Sequence, residues 1–142
     1  MFHFEEGEVF LIDKPLDWTS FDAVNLIRSV IKRYHGIRKL KVGHAGTLDP
    51  LATGLLIVCT GRMTKQIDSF QAQEKVYTGT LLLGQTTPTF DMESEADASY
   101  PTDGITIEMM EDARKSFIGD IMQKPPKFSA IKINGKRAFD YA

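Results

Sequence analysis

Residues 43–54 contain three glycines (Gly43, Gly46, Gly54) and Pro50, and they run directly into the apolar stretch 55–59. A segment of that composition reads as a loop, and the apolar stretch behind it suits a buried strand. The chain must therefore hold a loop against a core. Glycine opens backbone angles closed to other residues and lets a flat ligand approach the main chain, while Pro50 restricts Asp49 to extended geometry. A carboxylate at Asp49 can thus be held rigidly. An aspartate before proline is more often an ordinary turn residue, and the residue types alone leave both possibilities open.

The flanking sequence supplies helices and strands. Residues 9–12 are a short apolar run ended by Asp13-Lys14-Pro15, as expected of a buried strand entering a turn. Thr19 or Ser20 can cap a following helix, in which Phe21, Val24, Ile27, Val30, Ile31 and Tyr34 recur at intervals of three or four and Gly36 supplies a stop. Further on, the sequence predicts a short helix over about 63–70, a strand over 77–83, a polar surface loop over 85–103 and a helix over 107–117. A hairpin follows, in which 128–133 leads into Asn134-Gly135, a pair that accepts a type I′ turn. Periodicity supports a mixture of α and β and no more. With no repeat and no Gly/Ser-rich linker, one continuous unit, without a second domain, is the simplest organisation.

Composition narrows the function classes. The 142 residues are 42% hydrophobic and 25% charged, enough for one globular core. No apolar run approaches the roughly 18 residues of a membrane span, and the acidic start (Glu5, Glu6, Glu8) does not resemble a secretory signal, so a cytoplasmic location is expected. The net charge of -2 gives no global argument for nucleic acid. The distribution says more: Arg28, Lys32, Arg33, Arg38, Lys39 and Lys41 lie in an acid-free stretch, and Lys124, Lys127, Lys132, Lys136 and Arg137 form a second. Such blocks are usually solvated faces, but two flanking one site could follow a phosphate backbone.

Other site chemistries find little support. No Gly-Lys-Ser or Gly-Lys-Thr follows the glycines, so the phosphate-loop pattern fails, and with it a small-nucleotide domain. His3, His35 and His44 are widely separated, and no paired-histidine motif or acidic cluster suggests a metal site. The single cysteine, Cys59, lies in an apolar run and fits a buried bystander.

Residues 43–56, Gly-His-Ala-Gly-Thr-Leu-Asp-Pro-Leu-Ala-Thr-Gly-Leu-Leu, resemble the signature of the TruB family of tRNA pseudouridine synthases. Two further stretches agree in order. Lys14-Pro15-Leu16-Asp17-Trp18-Thr19-Ser20 is similar to the family's Lys-Pro-x-Gly-x-Thr-Ser element, with Asp17 in place of glycine. Residues 125–132 with Gly135-Lys136-Arg137 are similar to its Ser-Ala-Leu/Ile-Lys segment. The resemblance implies an α+β pseudouridine synthase fold, a mixed and mostly antiparallel sheet flanked by helices. It implies isomerisation of the T-loop uridine at position 55 of tRNA after base flipping, with Asp49 as the catalytic nucleophile. His44 matches the histidine that fills the space of the flipped base, Tyr77 the tyrosine that stacks on the uracil, and Asp91 an aspartate with a part in RNA ordering. Lys14, Pro15, Gly43, Gly46, Pro50 and Gly54 are expected to shape the loop. The partner implied is the tRNA T-arm stem-loop, bound by a monomer with no cofactor, metal or membrane.

The family's later Lys-Gly-x-Tyr-Ile-Arg element, whose arginine pairs with the catalytic aspartate, has no counterpart here. The expectation is a partial chain, incomplete at its C-terminus and inactive or nearly so alone. A non-catalytic RNA-binding module that keeps the basic surface is the competing expectation.

Overall fold

The computed structural model describes residues 2–123 together with the backbone of 132–133 and 136–137. The chain forms two compact units, 1–77 and 78–142, taken separately below.

In the first unit, β1 (Val9–Lys14), α1 (Ser20–His35), β2 (Val42–His44) and β3 (Gly54–Thr60) build a three-stranded sheet in the order β1-β3-β2. The central strand β3 pairs antiparallel with both neighbours, setting Leu11 opposite Ile57 and His44 opposite Val58. β1 and β2 therefore run in the same direction with β3 between them, and α1 makes the connection. A 3₁₀ helix (Gly61–Gln66) and α2 (Ile67–Gln71) follow.

The core lies where α1 meets the sheet. Ala23 and Val24 of α1 pack with Val42, Leu56 and Val58, and Phe10, Ile12, Trp18, Ile27, Leu40 and Leu48 close around them. Val24, Leu56 and Val58 are almost wholly buried, and burial of each contributes roughly 1.5–3 kcal/mol. The buried line on α1 runs through Ser20, Ala23, Val24 and Ile31, with Ile27 half-buried. Phe21, Val30 and Tyr34 of the expected stripe are exposed: Phe21 and Val30 lie on opposite flanks of that line, and Tyr34 falls in the last turn, beyond Ile31, the last buried residue of the helix. Two of them serve as platforms for cations instead: the Arg28 guanidinium sits 5.9 Å from the Phe21 ring and that of Arg33 5.6 Å from the Tyr34 ring.

Both ends of α1 follow their sequence signals. Thr19 and Asp22 form a reciprocal capping box, and Gly36, at φ 70°, ends the helix while its N–H donates to the Lys32 carbonyl. The Thr19 hydroxyl, and after it the Thr19 N–H, donate to the Asp22 carboxylate and hold its pKa below the ordinary value. Asp17, where the family pattern has glycine, adopts a left-handed φ of 63°.

In the second unit, β4 (Gln85–Thr86) and β5 (Ala98–Ser99) pair antiparallel, and α3 (Ile107–Lys115) starts at Thr106, whose hydroxyl accepts from the Met109 N–H. β6 (Lys132–Ile133) and β7 (Lys136–Arg137) pair antiparallel as the expected hairpin requires. Its Asn134-Gly135 turn and residues 128–131 lie outside the described residues.

Several expectations need correction. Residues 77–83 form no strand: Leu81 and Leu82 are 89% and 65% exposed, and an apolar run becomes a strand only where a partner edge is offered. The short helix predicted over 63–70 begins as a 3₁₀ turn and becomes α-helical only at Ile67. The loop over 85–103 is cinched by the β4–β5 ladder. Among the described residues the fold is α+β, with helices and antiparallel sheets.

Candidate active site

The loop between β2 and β3 is shorter than the twelve residues read from sequence, because Gly43 and His44 belong to β2 and Gly54 is the first residue of β3. Gly43 serves no left-handed turn, and a Cβ there would meet only the tip of the Ile67 side chain, 2.9 Å from its Cδ1. Gly46 and Gly54 have φ of 101° and 121°, backbone that disfavours side chains.

Asp49 opens a tight turn in which the Ala52 N–H donates to the Asp49 carbonyl at 3.0 Å, with Pro50 at the second position that proline favours. The residue before it and the residue after it are both fastened to the segment leading into α1. On one side, the buried Ser20 hydroxyl accepts the Leu48 N–H at 2.9 Å and donates to the Leu48 carbonyl at 3.1 Å, which a hydroxyl can do because it is donor and acceptor at once. On the other, the Pro50 carbonyl accepts the Asp17 N–H at 2.9 Å and lies 3.5 Å from Lys14 Nζ. Asp49 is thus the one untethered side chain between two tethered neighbours. It is exposed, and among the described residues its carboxylate takes part in no hydrogen bond or ion pair.

Lys14 is wholly buried, and its ammonium donates to three carbonyls, those of Trp18 at 2.5 Å, Pro15 at 3.0 Å and Pro50 at 3.5 Å. A buried charge needs compensation, and here it comes from main-chain dipoles of the β1–α1 turn and the Asp49 loop. Pro15 is exposed in that turn.

His44, at the end of β2, is half-buried, with Nδ1 2.7 Å from the Gly46 carbonyl. A carbonyl can only accept, so Nδ1 carries a proton and Nε2 is left for another partner. The loop start is fixed by the Ala45 N–H, which donates to the Ile57 carbonyl of β3. Tyr77 is the last residue of the first unit, outside any strand and 71% exposed. Asp91 belongs to the second unit, where its Oδ1 accepts from the Thr89 hydroxyl at 2.6 Å and the Glu93 N–H at 2.9 Å.

Cys59 is buried in β3, and burial pushes its thiol pKa up, as befits an unreactive core residue. Among the described residues no three His, Cys, Asp or Glu side chains gather as a metal site would need, and no helix is long and apolar enough to cross a membrane. Ser20 and the Asp17 main chain are the fastenings of this loop that the sequence did not single out. Only the proximity of the Thr-Ser pair to the Lys-Pro element pointed toward them.

An exposed carboxylate on a loop fastened from both sides is what a nucleophile or general base requires: one reactive atom and a fixed approach. Residues 32–142 match the family described as TruB family pseudouridylate synthase (N terminal domain). The chain is 60% identical over 140 residues to tRNA pseudouridine synthase B of Phocaeicola vulgatus, covering 99% of this chain and 60% of that protein. The protein of the same name from Parabacteroides distasonis is 58% identical over 139 residues, covering 98% of this chain and 59% of that protein. A further one, from Bacteroides fragilis, is 55% identical over 140 residues, covering 99% of this chain and 60% of that protein. The chain belongs to the TruB family. It spans about 60% of the length of these curated relatives.

Proposed function

We propose that this chain is the aspartate-bearing portion of a tRNA pseudouridine synthase, and that the complete protein isomerises the T-loop uridine of tRNA, at position 55, to pseudouridine. The observation that carries this is Asp49: an unengaged, exposed carboxylate whose flanking residues are both pinned. Family membership and the names of the relatives give the reaction class.

The reaction breaks the bond from uracil N1 to ribose C1′ and makes one from C5 to the same carbon, with the C5 proton lost and a proton gained at N1. Product and substrate are isomers, so the balance closes without a redox partner or cofactor. In this proposal Asp49 attacks either C1′ or uracil C6 as a nucleophile. The base must first leave its stack, at a cost of a few kcal/mol. Stacking on Tyr77, worth roughly 1–3 kcal/mol, offsets part of that cost, and His44 occupies the vacated space while its Nε2 meets the RNA. Asp91 holds its own loop in the shape that orders the RNA. The T-arm stem-loop is the partner and the cytoplasm the location, with a monomer as the working unit. The sheet β1-β3-β2 is one part of the larger, mixed sheet of the pseudouridine synthase fold.

The test is tritium release from a T-arm hairpin labelled at uracil C5, using the full-length protein. Asp49→Ala is expected to lower turnover by roughly 10⁴-fold or more while hairpin affinity stays within about twofold. Retained turnover in the variant refutes the assignment. A wild-type protein that binds the hairpin without ever releasing tritium supports a binding module instead.

A further inference from the structure

β2 pairs with β3 along one edge, and among the described residues its other edge meets no strand. Two main-chain bonds mark which residues face β3: the Lys41 carbonyl accepts the Gly61 N–H at 2.9 Å, and the Ala45 N–H donates to the Ile57 carbonyl at 2.8 Å. In an antiparallel pair such residues alternate with others whose main-chain groups point away. Val42 and His44 therefore turn theirs to the outer edge. There the Val42 carbonyl accepts from Arg28 Nη2 at 2.8 Å, a bond that ties α1 to β2 across 14 residues. A charged donor makes it one of the stronger kinds of hydrogen bond.

Arg28 differs in this from the rest of its acid-free stretch. Among the described residues, the side chains of Lys32, Arg33, Arg38, Lys39 and Lys41 enter no hydrogen bond or ion pair. Arg28 is also held at its own end of the bond. Phe21 lies almost two helical turns before it and so on the same face of α1, and the ring, 5.9 Å from Cζ, gives the guanidinium a platform. Val42 in turn is a fixed point, because its side chain is buried in the core against Ala23 and Val24 of the same helix. His44 stands two residues further along the strand, with Nδ1 2.7 Å from the Gly46 carbonyl. Gly43 between them has no side chain with which to steady the strand, and among the described residues Arg28 is the one group bonded to its outer edge.

We propose that Arg28 is a positioning residue for His44: by clasping the outer edge of β2 to α1 it sets where the imidazole stands, and its charge serves that bond rather than an RNA phosphate. The part given to His44 rests on the functional reading above. The clasp acts through the backbone. When it is lost, β2 keeps its bonds to β3 but can tilt about that ladder, and the imidazole then no longer meets the Gly46 carbonyl in one fixed orientation.

The experiment compares full-length wild-type protein with Arg28→Met by three readouts. Nitrogen spectra of the histidine-labelled protein without RNA show which ring nitrogen of His44 carries the proton; the wild type should hold it on Nδ1, and Arg28→Met should move roughly a fifth or more of the population to the other tautomer. This readout needs no turnover, so it decides the positioning claim even if the isomerase assignment fails. Binding of a T-arm hairpin across a salt series should keep its slope of log K against log salt within about 0.3, where a lost phosphate contact would flatten it by about 0.7–0.9. In tritium release, Arg28→Met should lower kcat about fivefold with KM moved less than about twofold. In a His44→Ala background the same substitution should change kcat by less than about 1.5-fold, because a residue that acts through His44 has nothing left to act on. A general loss of folding would lower turnover in both backgrounds alike. An unmoved His44 tautomer, a slope flattened by about 0.7 or more, or an equal fall in kcat with and without His44 each overturns the proposal. If Arg28→Met does not fold, Phe21→Leu takes its place: with the platform gone, kcat should fall about twofold, and only where His44 is present. An equal fall in both backgrounds, or none, overturns the proposal as well.

Discussion

Two aspartates in this chain sit in loops closed by antiparallel strands, and their environments are opposite. Asp91 spends its carboxylate on its own loop, accepting from Thr89 and Glu93, while its carbonyl accepts from Thr87, all within four residues. Asp49 shares only the main-chain part of this, its carbonyl accepting the Ala52 N–H. Its loop is held by groups 28 to 36 residues away, Ser20 on Leu48 and Lys14 on Pro50, and its carboxylate is left over. A loop that folds itself consumes the polar group it might have offered to a ligand. One that is held from elsewhere can present that group unengaged, and so the same residue type is consumed by its loop in one place and left free for a ligand in the other.

The sharpest way to break the contrast is to remove the distant holders. Lys14→Met leaves the part-buried carbonyls of Pro15 and Trp18 in the β1–α1 turn without the donor that the buried Lys14 supplies, and an acceptor left unsatisfied away from water costs about 1–3 kcal/mol, more where a charged donor is lost. A fall of about 3 kcal/mol in unfolding free energy is expected from denaturant titration, with the Asp49 reaction lost alongside. Ser20→Ala removes both bonds to Leu48 at a cost of about 1–2 kcal/mol. In kinetics it should lower kcat about tenfold while KM moves less than twofold, because binding surfaces are untouched. A KM effect that matched or exceeded the kcat effect would show that Ser20 does not act through the placement of Asp49. The smallest effect separates the aspartates themselves. Asp91→Ala should speed hydrogen exchange at the Glu93 amide about fivefold, equivalent to roughly 1 kcal/mol of local stability. Asp49→Ala should leave exchange at Leu48 and Ala52 unchanged.

Local features are legible from the sequence. The helix cap, at Thr19 of the two candidates Thr19 and Ser20, the Gly36 stop and the turn at Asp49-Pro50 depend on residues within a few positions of one another, and each is found where the sequence allows it. The aspartate loop is also identifiable as a family signature, and the family assignment stands. What escapes such a reading is long-range. β2 has only three residues, yet the alternation Lys39-Leu40-Lys41-Val42, with Leu40 half-buried and Val42 buried, is the period-two signal that marks it. The run over 77–83 looks like a strand when apolar residues are counted without asking what edge would receive them. Ser20 looks like a cap candidate because nothing in its neighbours reveals a contact 28 residues away.

The double bond between the Ser20 hydroxyl and the Leu48 main chain has a further consequence for motion. To swing outward as a gate, the loop would have to surrender both of those bonds, the Asp17–Pro50 bond and the packing of Leu48 on the core at the same time. A few kcal/mol stand against that movement, which makes the loop an anvil rather than a lid. Whatever reacts with Asp49 has to do the travelling itself, and the work of distortion falls on the incoming molecule.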